Sequence, residues 1–216
     1  MPTVIVATGN PGKLKEMQVY LNELGWQLEL KPDEIDIEET GSTFLENARL
    51  KAVGVAKALN QWAIADDSGL EVHALGGAPG IYSARYADSD QARIDRLLRE
   101  LAAVGDGQGP AQGGERDAQG ATQRGDSGTD RSAQFVCALA LANPSGDIVL
   151  ETEGICHGEI LFEPQGTGGF GYDPIFYLPA LGKSFAEMSP AQKDANSHRG
   201  IAFAQLMPDL KKLALE

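Results

Sequence analysis

The sequence predicts an α/β fold in which a mixed central β-sheet is flanked by helices. Short apolar runs at residues 3–7 and 62–65 alternate with longer stretches in which apolar residues recur every three or four positions. Two further apolar runs, residues 134–142 and 148–156, flank the turn-forming segment Asn-Pro-Ser-Gly-Asp and predict an antiparallel hairpin. Helical crossovers and a hairpin in one sheet make that sheet mixed.

The helices are predicted from apolar spacing and from end signals. One helix follows residues 8–13 and ends before Gly25, a residue that tolerates positive φ. A second begins at Thr43, which has the spacing of a capping box with Glu46, and continues to residue 59. Further helices are predicted over residues 89–103, 190–196 and 201–208.

The chain has the length and composition of one domain. Its 216 residues are 42% apolar, so residues 1–216 are expected to share one core. Residues 105–132 are rich in Gly, Gln and Asp and contain almost no large apolar side chains. This segment cannot bury enough apolar area to offset its ordering entropy, so we expect a flexible surface insertion.

The charge balance excludes polymeric nucleic acid as a partner. The 18 Lys and Arg residues face 31 Asp and Glu residues, which gives a net charge of −13 that repels a phosphate backbone. A small anion such as a triphosphate can bind only where local cations, backbone N–H groups or a divalent metal reverse that field.

Other functional classes and locations are also disfavoured. Cys137 and Cys156 lie in apolar runs without the spacing of zinc or redox motifs, so we interpret them as buried, reduced thiols. The N-terminus lacks the pattern of a signal peptide, and no apolar stretch has the length of a membrane span. A cytoplasmic location is expected.

The opening loop is a candidate phosphate-binding element. It comprises Thr8, Gly9, Asn10, Pro11, Gly12 and Lys13, and it joins a strand to a helix. Its spacing is not that of a P-loop, but it offers backbone N–H groups, polar side chains and one ammonium group. Residues 166–171 match the GxGxxG pattern, yet no strand precedes them, so a dinucleotide-binding motif is rejected.

Two acidic pairs are candidate Mg²⁺ ligands. Glu38 and Glu39 form one pair, and Asp66 and Asp67 follow the apolar run at residues 62–65. Hard carboxylate oxygens suit Mg²⁺, although acidic pairs are more often solvated surface. The second pair is the stronger candidate, because Ser68-Gly69 is expected to end the strand at the sheet edge where α/β folds commonly bind ligands.

A basic segment near the C-terminus is a candidate for recognising phosphate or carbonyl oxygens. Ser197, His198 and Arg199 follow Lys193 by about one helical turn. A solvated basic helix face is the alternative interpretation.

Five ordered segments together resemble a known family. They are TGNPGKLKEM, EETGSTFLENARLKA, ADDSGLEVHALGGAPGIYSARYA, GTGGFGYDPIF and SHRGIA, and they span nearly the whole chain outside the insertion. In this order they closely resemble the inosine/xanthosine triphosphate pyrophosphatases, or non-canonical purine NTP pyrophosphatases. The resemblance implies an ITPase-like, Maf/Ham1-type fold with a cleft between two lobes.

The resemblance also implies residue roles. Residues 8–13 would grip the triphosphate, and Asp67 would be the proton acceptor and a Mg²⁺ ligand, assisted by Glu38 or Glu39 and by Asp66. Phe170 would stack on the base, and Lys193 would face the phosphates. The other implied nucleotide contacts are Ser68, Gly171, Tyr172, Asp173, His198 and Arg199.

The implied activity is hydrolysis of ITP, dITP and XTP to the monophosphate and pyrophosphate, which cleanses the nucleotide pool. A homodimer is implied as well. The alternatives are a Maf-like pyrophosphatase with a different base preference, which the SHR segment disfavours, and a module that senses ITP without cleaving it, which leaves both acidic pairs without a role.

Overall fold

The computed structural model describes residues 3–106 and 128–213, which contain a seven-stranded sheet flanked by helices. The strands are β1 (Thr3–Val6), β2 (Gln27–Leu30), β3 (Trp62–Val72), β4 (Ser132–Ala142), β5 (Ile148–Ile160), β6 (Phe176–Leu178) and β7 (Lys183–Ser184). The helices are α1 (Pro11–Leu21), α2 (Phe44–Leu59), α3 (Asp90–Asp106), α4 (Pro190–Asn196) and α5 (His198–Leu210).

The sheet is mixed, which confirms the predicted fold class. Its strand order is β2-β1-β3-β4-β5-β6-β7. Strand β1 runs parallel to both β2 and β3, whereas the pairs from β3 to β7 are antiparallel. The predicted hairpin is the β4–β5 pair. The parallel pairs require helical crossovers, and α1 and α2 supply them.

Three hydrophobic clusters hold the helices against the sheet. One face of β1, β3 and β4 packs against α1 and α5. The opposite face packs against α2. A third cluster joins the far ends of β3 and β4 to α3 and to residues 160–185. Alternate residues of each central strand therefore enter different clusters, as the two-residue period of a strand requires.

The predicted end, at residue 65, of the strand that begins at residue 62 was wrong. Strand β3 continues to Val72, and Asp66, Asp67 and Ser68 lie within it. The reason is tertiary: β4 pairs with β3 without interruption from Ala63 to Val72, so the backbone of the predicted turn is held in a ladder. Polar side chains here lie within a strand and do not mark its end.

Several other boundaries differ from the expectations. The opening loop is shorter because α1 already begins at Pro11. Thr43 caps α2 by accepting a hydrogen bond from the Glu46 N–H, but the Glu46 carboxylate accepts from Ser42, so the capping box is incomplete. Helix α5 continues through Pro208 to residue 210.

The predicted insertion at residues 105–132 is only partly described. Its first two residues end α3, and its last residue begins β4. Residues 107–127 lie outside the described residues. In the two described segments, no helix combines the length and the apolar character needed to cross a membrane.

The central strands should dominate stability. Leu139 of β4 is fully buried in the cluster formed with α1 and α5. We expect Leu139→Ala to lower the free energy of unfolding by about 2–5 kcal/mol, because the lost contacts leave a cavity. Urea denaturation measures this change. Leu50→Ala, at an exposed position of α2, is the matched control, and an equal loss in both variants would contradict the packing described here.

Candidate active site

A cavity of about 740 Å³ opens beside β3. Strand β1 pairs with β3 only as far as Ile64. Beyond that residue, the edge of β3 that faced β1 has no strand neighbour in the described sheet. Asp67, Ser68 and Gly69 line the cavity at this edge. Residues from α1 and α5 and residues next to the third cluster also line it, which places it in the cleft that the resemblance implied.

The two aspartates of β3 point to opposite faces of the sheet. Asp66 shares a face with Ile64, which packs against α1 and α5, whereas Asp67 shares a face with Ala65, which packs against α2. Their environments differ accordingly. Asp66 and Asp67 are adjacent in sequence, but they lie in separate environments and do not form one acidic patch.

Asp66 is a fully buried anion between two cations. Its Oδ1 lies 2.7 Å from the Lys13 ammonium, and Arg199 Nη2 donates to its Oδ2 at 2.8 Å. Arg199 is 1% exposed, and it also contacts Glu16 and donates to Ser68 Oγ at 3.0 Å. Burial alone would raise the pKa of Asp66, but Arg199 and Lys13 outweigh it and hold that pKa well below its ordinary value.

Asp67 faces the other side and is held by Lys51. The Lys51 ammonium donates to Asp67 Oδ1 and to Glu39 Oε1, each at 2.8 Å. Asp67 Oδ2 is buried and has no hydrogen-bond partner among the described residues. Burial raises the pKa of Asp67 despite the nearby ammonium groups of Lys51 and Lys13. Burial would lower the pKa of Lys51, but the carboxylates raise it, so the amine stays charged.

The opening loop is fixed by its own side chains. Asn10 caps α1 by accepting hydrogen bonds from the N–H groups of Gly12 and Lys13, at 2.8 and 3.3 Å. Thr8 Oγ1 accepts from the Asn10 N–H at 3.1 Å. A Cβ atom on Gly12 would lie 2.8 Å from the Phe170 ring, so only glycine allows this close approach.

The segment after β5 brings Phe170 to the cavity. Asp173 accepts from the Phe170 N–H at 2.8 Å and from the Lys193 ammonium at 2.6 Å. Gly169 has a φ of 74°, and a Cβ atom there would overlap the Asp173 carboxylate. Burial raises the pKa of Asp173 in spite of Lys193. Tyr172 is buried and donates its O–H to a backbone carbonyl, that of Ser83, at 3.0 Å.

His198 is a neutral imidazole in an aromatic environment. It stacks on Phe135 with ring centroids 4.6 Å apart. Burial and the adjacent Arg199 lower its pKa well below the ordinary value. Its Nδ1 is buried without a hydrogen-bond partner in the described residues. A neutral imidazole offers one donor and one acceptor to a bound molecule.

The structure brings the predicted residues together. All but one of them line the same cavity, and the exception, Asp66, lies beneath it. The lining residues are Thr8 to Lys13, Glu38, Glu39, Asp67, Ser68, Phe170 to Asp173, Lys193, His198 and Arg199. Sequence reasoning missed several residues at the site: Glu16, Lys51, Ser83, Arg85, Asp90, Arg93 and Phe135. Helical spacing was an available signal, since Glu16 follows Lys13 by three positions on α1.

Nearly all the positively charged side chains that line the cavity are paired with carboxylates. Lys193 pairs with Glu16 and Asp173, Arg85 with Glu39, and Arg93 with Asp90. Apart from Lys31, which donates to the backbone carbonyl of Ile35, each Lys and Arg that lines the cavity contacts a carboxylate in the described residues. An entering polyanion must therefore take cations from carboxylates or bring cations of its own.

The carboxylates suit a metal that is shared with a ligand. In residues 3–106 and 128–213 no three His, Cys, Asp or Glu side chains form a ready metal cage. Mg²⁺ needs no such cage, because it binds through one or two carboxylates and otherwise through waters and phosphate oxygens. The unpartnered Oδ2 of Asp67 and the neighbouring Glu39 fit that requirement.

Comparison with known proteins places the chain in a family. A model of the Ham1 family matches residues 4–119 and 108–209. A dITP/XTP pyrophosphatase of Synechocystis sp. is 56% identical over 98% of both chains. A Nostoc sp. protein of the same name is 54% identical over 96% of this chain and 93% of its own. The chain belongs to the Ham1 family.

Solved structures support the same assignment. The HAM1 protein from Coxiella burnetii has a TM-score of 0.81 and 41% identity, and the match covers 99% of this chain and 100% of the other. The Ham1 protein of Staphylococcus aureus has a TM-score of 0.76 and 41% identity, with 97% of this chain and 98% of the other covered. The ITPase-like fold expected from the sequence is thereby confirmed.

The buried Asp66 should be essential to stability. In Asp66→Asn, Lys13 and the buried Arg199 lose their shared anion, so we expect the free energy of unfolding to fall by about 3–5 kcal/mol. Denaturant titration at neutral pH measures the loss. Asp209→Asn removes one partner of an exposed ion pair with Lys212 and should change stability little. If Asp66→Asn were as stable as the unmodified protein, the stabilising role of the Asp66 ion pairs with Lys13 and Arg199 would be contradicted.

The neutral His198 should make stability depend on acid. Because its folded pKa lies below its unfolded pKa of about 6.5, the unfolded state binds more protons between the two values. The contribution of the neutral His198 to stability is therefore fully present above about pH 7. It is lost as the pH falls, at up to about 1.4 kcal/mol per pH unit. Unfolding measured from pH 7.5 to 5 tests this. His198→Gln should flatten the dependence, and His73→Gln, at an exposed position, should not.

Proposed function

We propose that this chain is a nucleoside triphosphate pyrophosphatase that converts ITP, dITP and XTP to the monophosphate and pyrophosphate and thereby cleanses the nucleotide pool. Its named relatives in Synechocystis and Nostoc are dITP/XTP pyrophosphatases that align over nearly their full length. One observation carries the proposal. The Asp67 carboxylate, whose Oδ2 is buried without a partner in the described residues, lines the same cavity as Lys13 and Arg199.

The positions of the lining residues suggest how a nucleotide lies. Lys13 and Lys51 flank the carboxylates of β3, and they suit the triphosphate. Phe170, Asp173 and His198 suit the base. Lys193 was expected at the phosphates, but its ammonium lies 4.7 Å from the centre of the Phe170 ring and contacts Asp173. These contacts favour a role at the base end.

Mg²⁺ is part of the proposal. Asp67 and Glu39 are the residues that would hold it, with Glu38 as the other candidate on the same cavity wall. The bound ion would neutralise the polyphosphate and stabilise the charge that develops on the leaving pyrophosphate. The ion would also supply positive charge to the phosphates, because Lys13, Lys51 and Lys193 in the cavity are already paired with carboxylates.

The residues of the chain supply orientation and proton transfer. The Asp67 carboxylate is the proton acceptor for the attacking water, and burial makes it a stronger base than a solvated aspartate. Lys13 is anchored by Asp66 beneath the cavity, which fixes one cationic contact to the phosphates. Holding the reacting groups in place lowers the entropic part of the barrier.

Base selection is proposed to depend on buried donors. His198 and Arg199 are nearly inaccessible to solvent, so a donor aimed at the base must find an acceptor there. The 6-oxo group of hypoxanthine or xanthine is such an acceptor. The 6-amino group of adenine would leave a donor unpaired, at a cost of about 1–3 kcal/mol each.

A homodimer and a cytoplasmic location complete the proposal. The nucleotide pool that such an enzyme would cleanse is itself cytoplasmic. A Maf-like pyrophosphatase with a different base preference is the less favoured alternative, because the matched family model and the named relatives support the Ham1 type.

Purified protein with Mg²⁺ should release pyrophosphate from XTP and dITP. Asp67→Asn should lower the rate at least 100-fold while nucleotide binding persists, because the variant loses its proton acceptor. Separate assays for pyrophosphate and orthophosphate, with and without a coupled pyrophosphatase, make the distinction. Orthophosphate as the first product would refute the mechanism, and binding without turnover in the unmodified protein would favour a sensing module.

A substrate panel should separate the two pyrophosphatase types. XTP and dITP should be hydrolysed with a kcat/KM at least 10-fold above that for ATP, since one unpaired buried donor costs about that factor. UTP and dTTP should be poor substrates as well. A preference for UTP or dTTP would favour the Maf-like alternative instead.

A further inference from the structure

Lys51 occupies the position between the two carboxylates that the proposed function assigns to a metal. Its ammonium donates to Glu39 and to Asp67 at the same distance, 2.8 Å. The Lys51 side chain is only 14% exposed, and the Asp67 side chain 9%. The amine is thus held between these carboxylates rather than projecting into solvent.

We infer that Lys51 is an internal substitute for the divalent cation, which keeps metal off the nucleotide-free enzyme and transfers to the phosphates when metal and nucleotide enter together. This inference rests on the proposed function. It assigns to Lys51 a positioning role in the order of assembly, which is distinct from holding the metal or accepting the proton.

Three observations support the exchange. First, the described residues hold no preassembled group of three metal-ligating side chains, so the free protein offers a divalent ion little beyond the two carboxylates that Lys51 already neutralises. Second, a cation that enters between Glu39 and Asp67 meets the repulsion of the ammonium at short range. Third, Asp67 Oδ2 is buried without a partner in the described residues, so one oxygen of this cavity-lining carboxylate remains free to bind a ligand although Lys51 already satisfies Oδ1.

Displacement of the Lys51 ammonium explains why metal binding between Glu39 and Asp67 would require nucleotide. A buried ammonium without an anionic partner is costly, and removal of its carboxylates leaves it in that state. Lys51 lines the cavity together with Lys13, so a phosphate oxygen can replace the lost carboxylate. Arg85 also contacts Glu39, at 3.3 Å, but its side chain is 52% exposed and retains water. Metal and nucleotide then favour each other's binding by the same factor.

The test uses Mn²⁺, which shares the hard oxygen preference of Mg²⁺, and measures its binding to nucleotide-free protein by electron paramagnetic resonance. We expect weak binding to the unmodified protein and at least 10-fold tighter binding to Lys51→Met. Lys31→Met is the matched control, because it removes one cavity cation whose ammonium, among the described residues, donates to a backbone carbonyl rather than to a carboxylate, and it should stay within about threefold of the unmodified protein. The double variant Lys51→Met/Asp67→Asn should lose the gain.

A second titration adds a non-hydrolysable α,β-methylene analogue of XTP. The analogue should tighten Mn²⁺ binding strongly in the unmodified protein and at least 10-fold less in Lys51→Met, because the variant has no ammonium to transfer. Lys51→Gln and circular-dichroism melting confirm that any change reflects the site and not unfolding; Mn²⁺ should raise the melting temperature of nucleotide-free Lys51→Met but not that of the unmodified protein.

The outcomes separate this inference from the proposed function. Equal Mn²⁺ affinities in folded Lys51→Met, Lys51→Gln and unmodified protein would overturn the exchange, even if XTP is still converted to pyrophosphate. An equal gain in Lys31→Met would overturn it too, because bulk charge would then account for the effect. Absence of pyrophosphate release by the unmodified protein would instead refute the proposed function.

Discussion

The two-residue period of β3 is the constraint on which the site depends. Consecutive aspartates on a strand must point to opposite faces of the sheet. Asp66 therefore lies on the face that packs against α1 and α5, whereas Asp67 lies on the face that packs against α2. One carboxylate is then a fully buried structural anion, and the other lies in the cavity wall, where we propose that it accepts a proton. A one-residue shift of β3 against β4 would exchange these environments and place the anchoring charge in the cavity.

Charge pairing gives the site both its rigidity and its need for a counterion. Lys13 of α1, Lys193 of α4 and Arg199 of α5 are held by Asp66, Glu16 and Asp173 in a continuous, largely buried network. Such networks are stabilising only when each member is paired, because removal of one member leaves its charged partners unpaired. The chain carries a net charge of −13, so attraction of a triphosphate must arise locally, from exchange of partners inside the cavity.

Sequence patterns predicted the elements that have local causes. The Thr43 cap, the helix over residues 190–196 and the β4–β5 turn follow from adjacent residues, and the structure contains all three. The length of β3 was missed because its pairing with β4 outweighs the local turn signal. Glu16 was missed as a partner of Lys193 because the two residues are 177 positions apart. Lys51 was missed because its partners, 12 and 16 positions away, do not lie on its own helix. The individual site roles came from family resemblance and not from periodicity.

The division of the site between two faces of one sheet also separates two kinds of change. The side chains proposed to contact the base come from α4, α5 and the segment around Phe170, whereas Asp67 and Lys51 belong to the α2 side. Substitutions that alter which base is accepted therefore need not disturb Asp67, the proposed proton acceptor. A fold arranged in this way can diversify its substrates over evolution, or in a directed-evolution experiment, while the bond that it breaks stays the same.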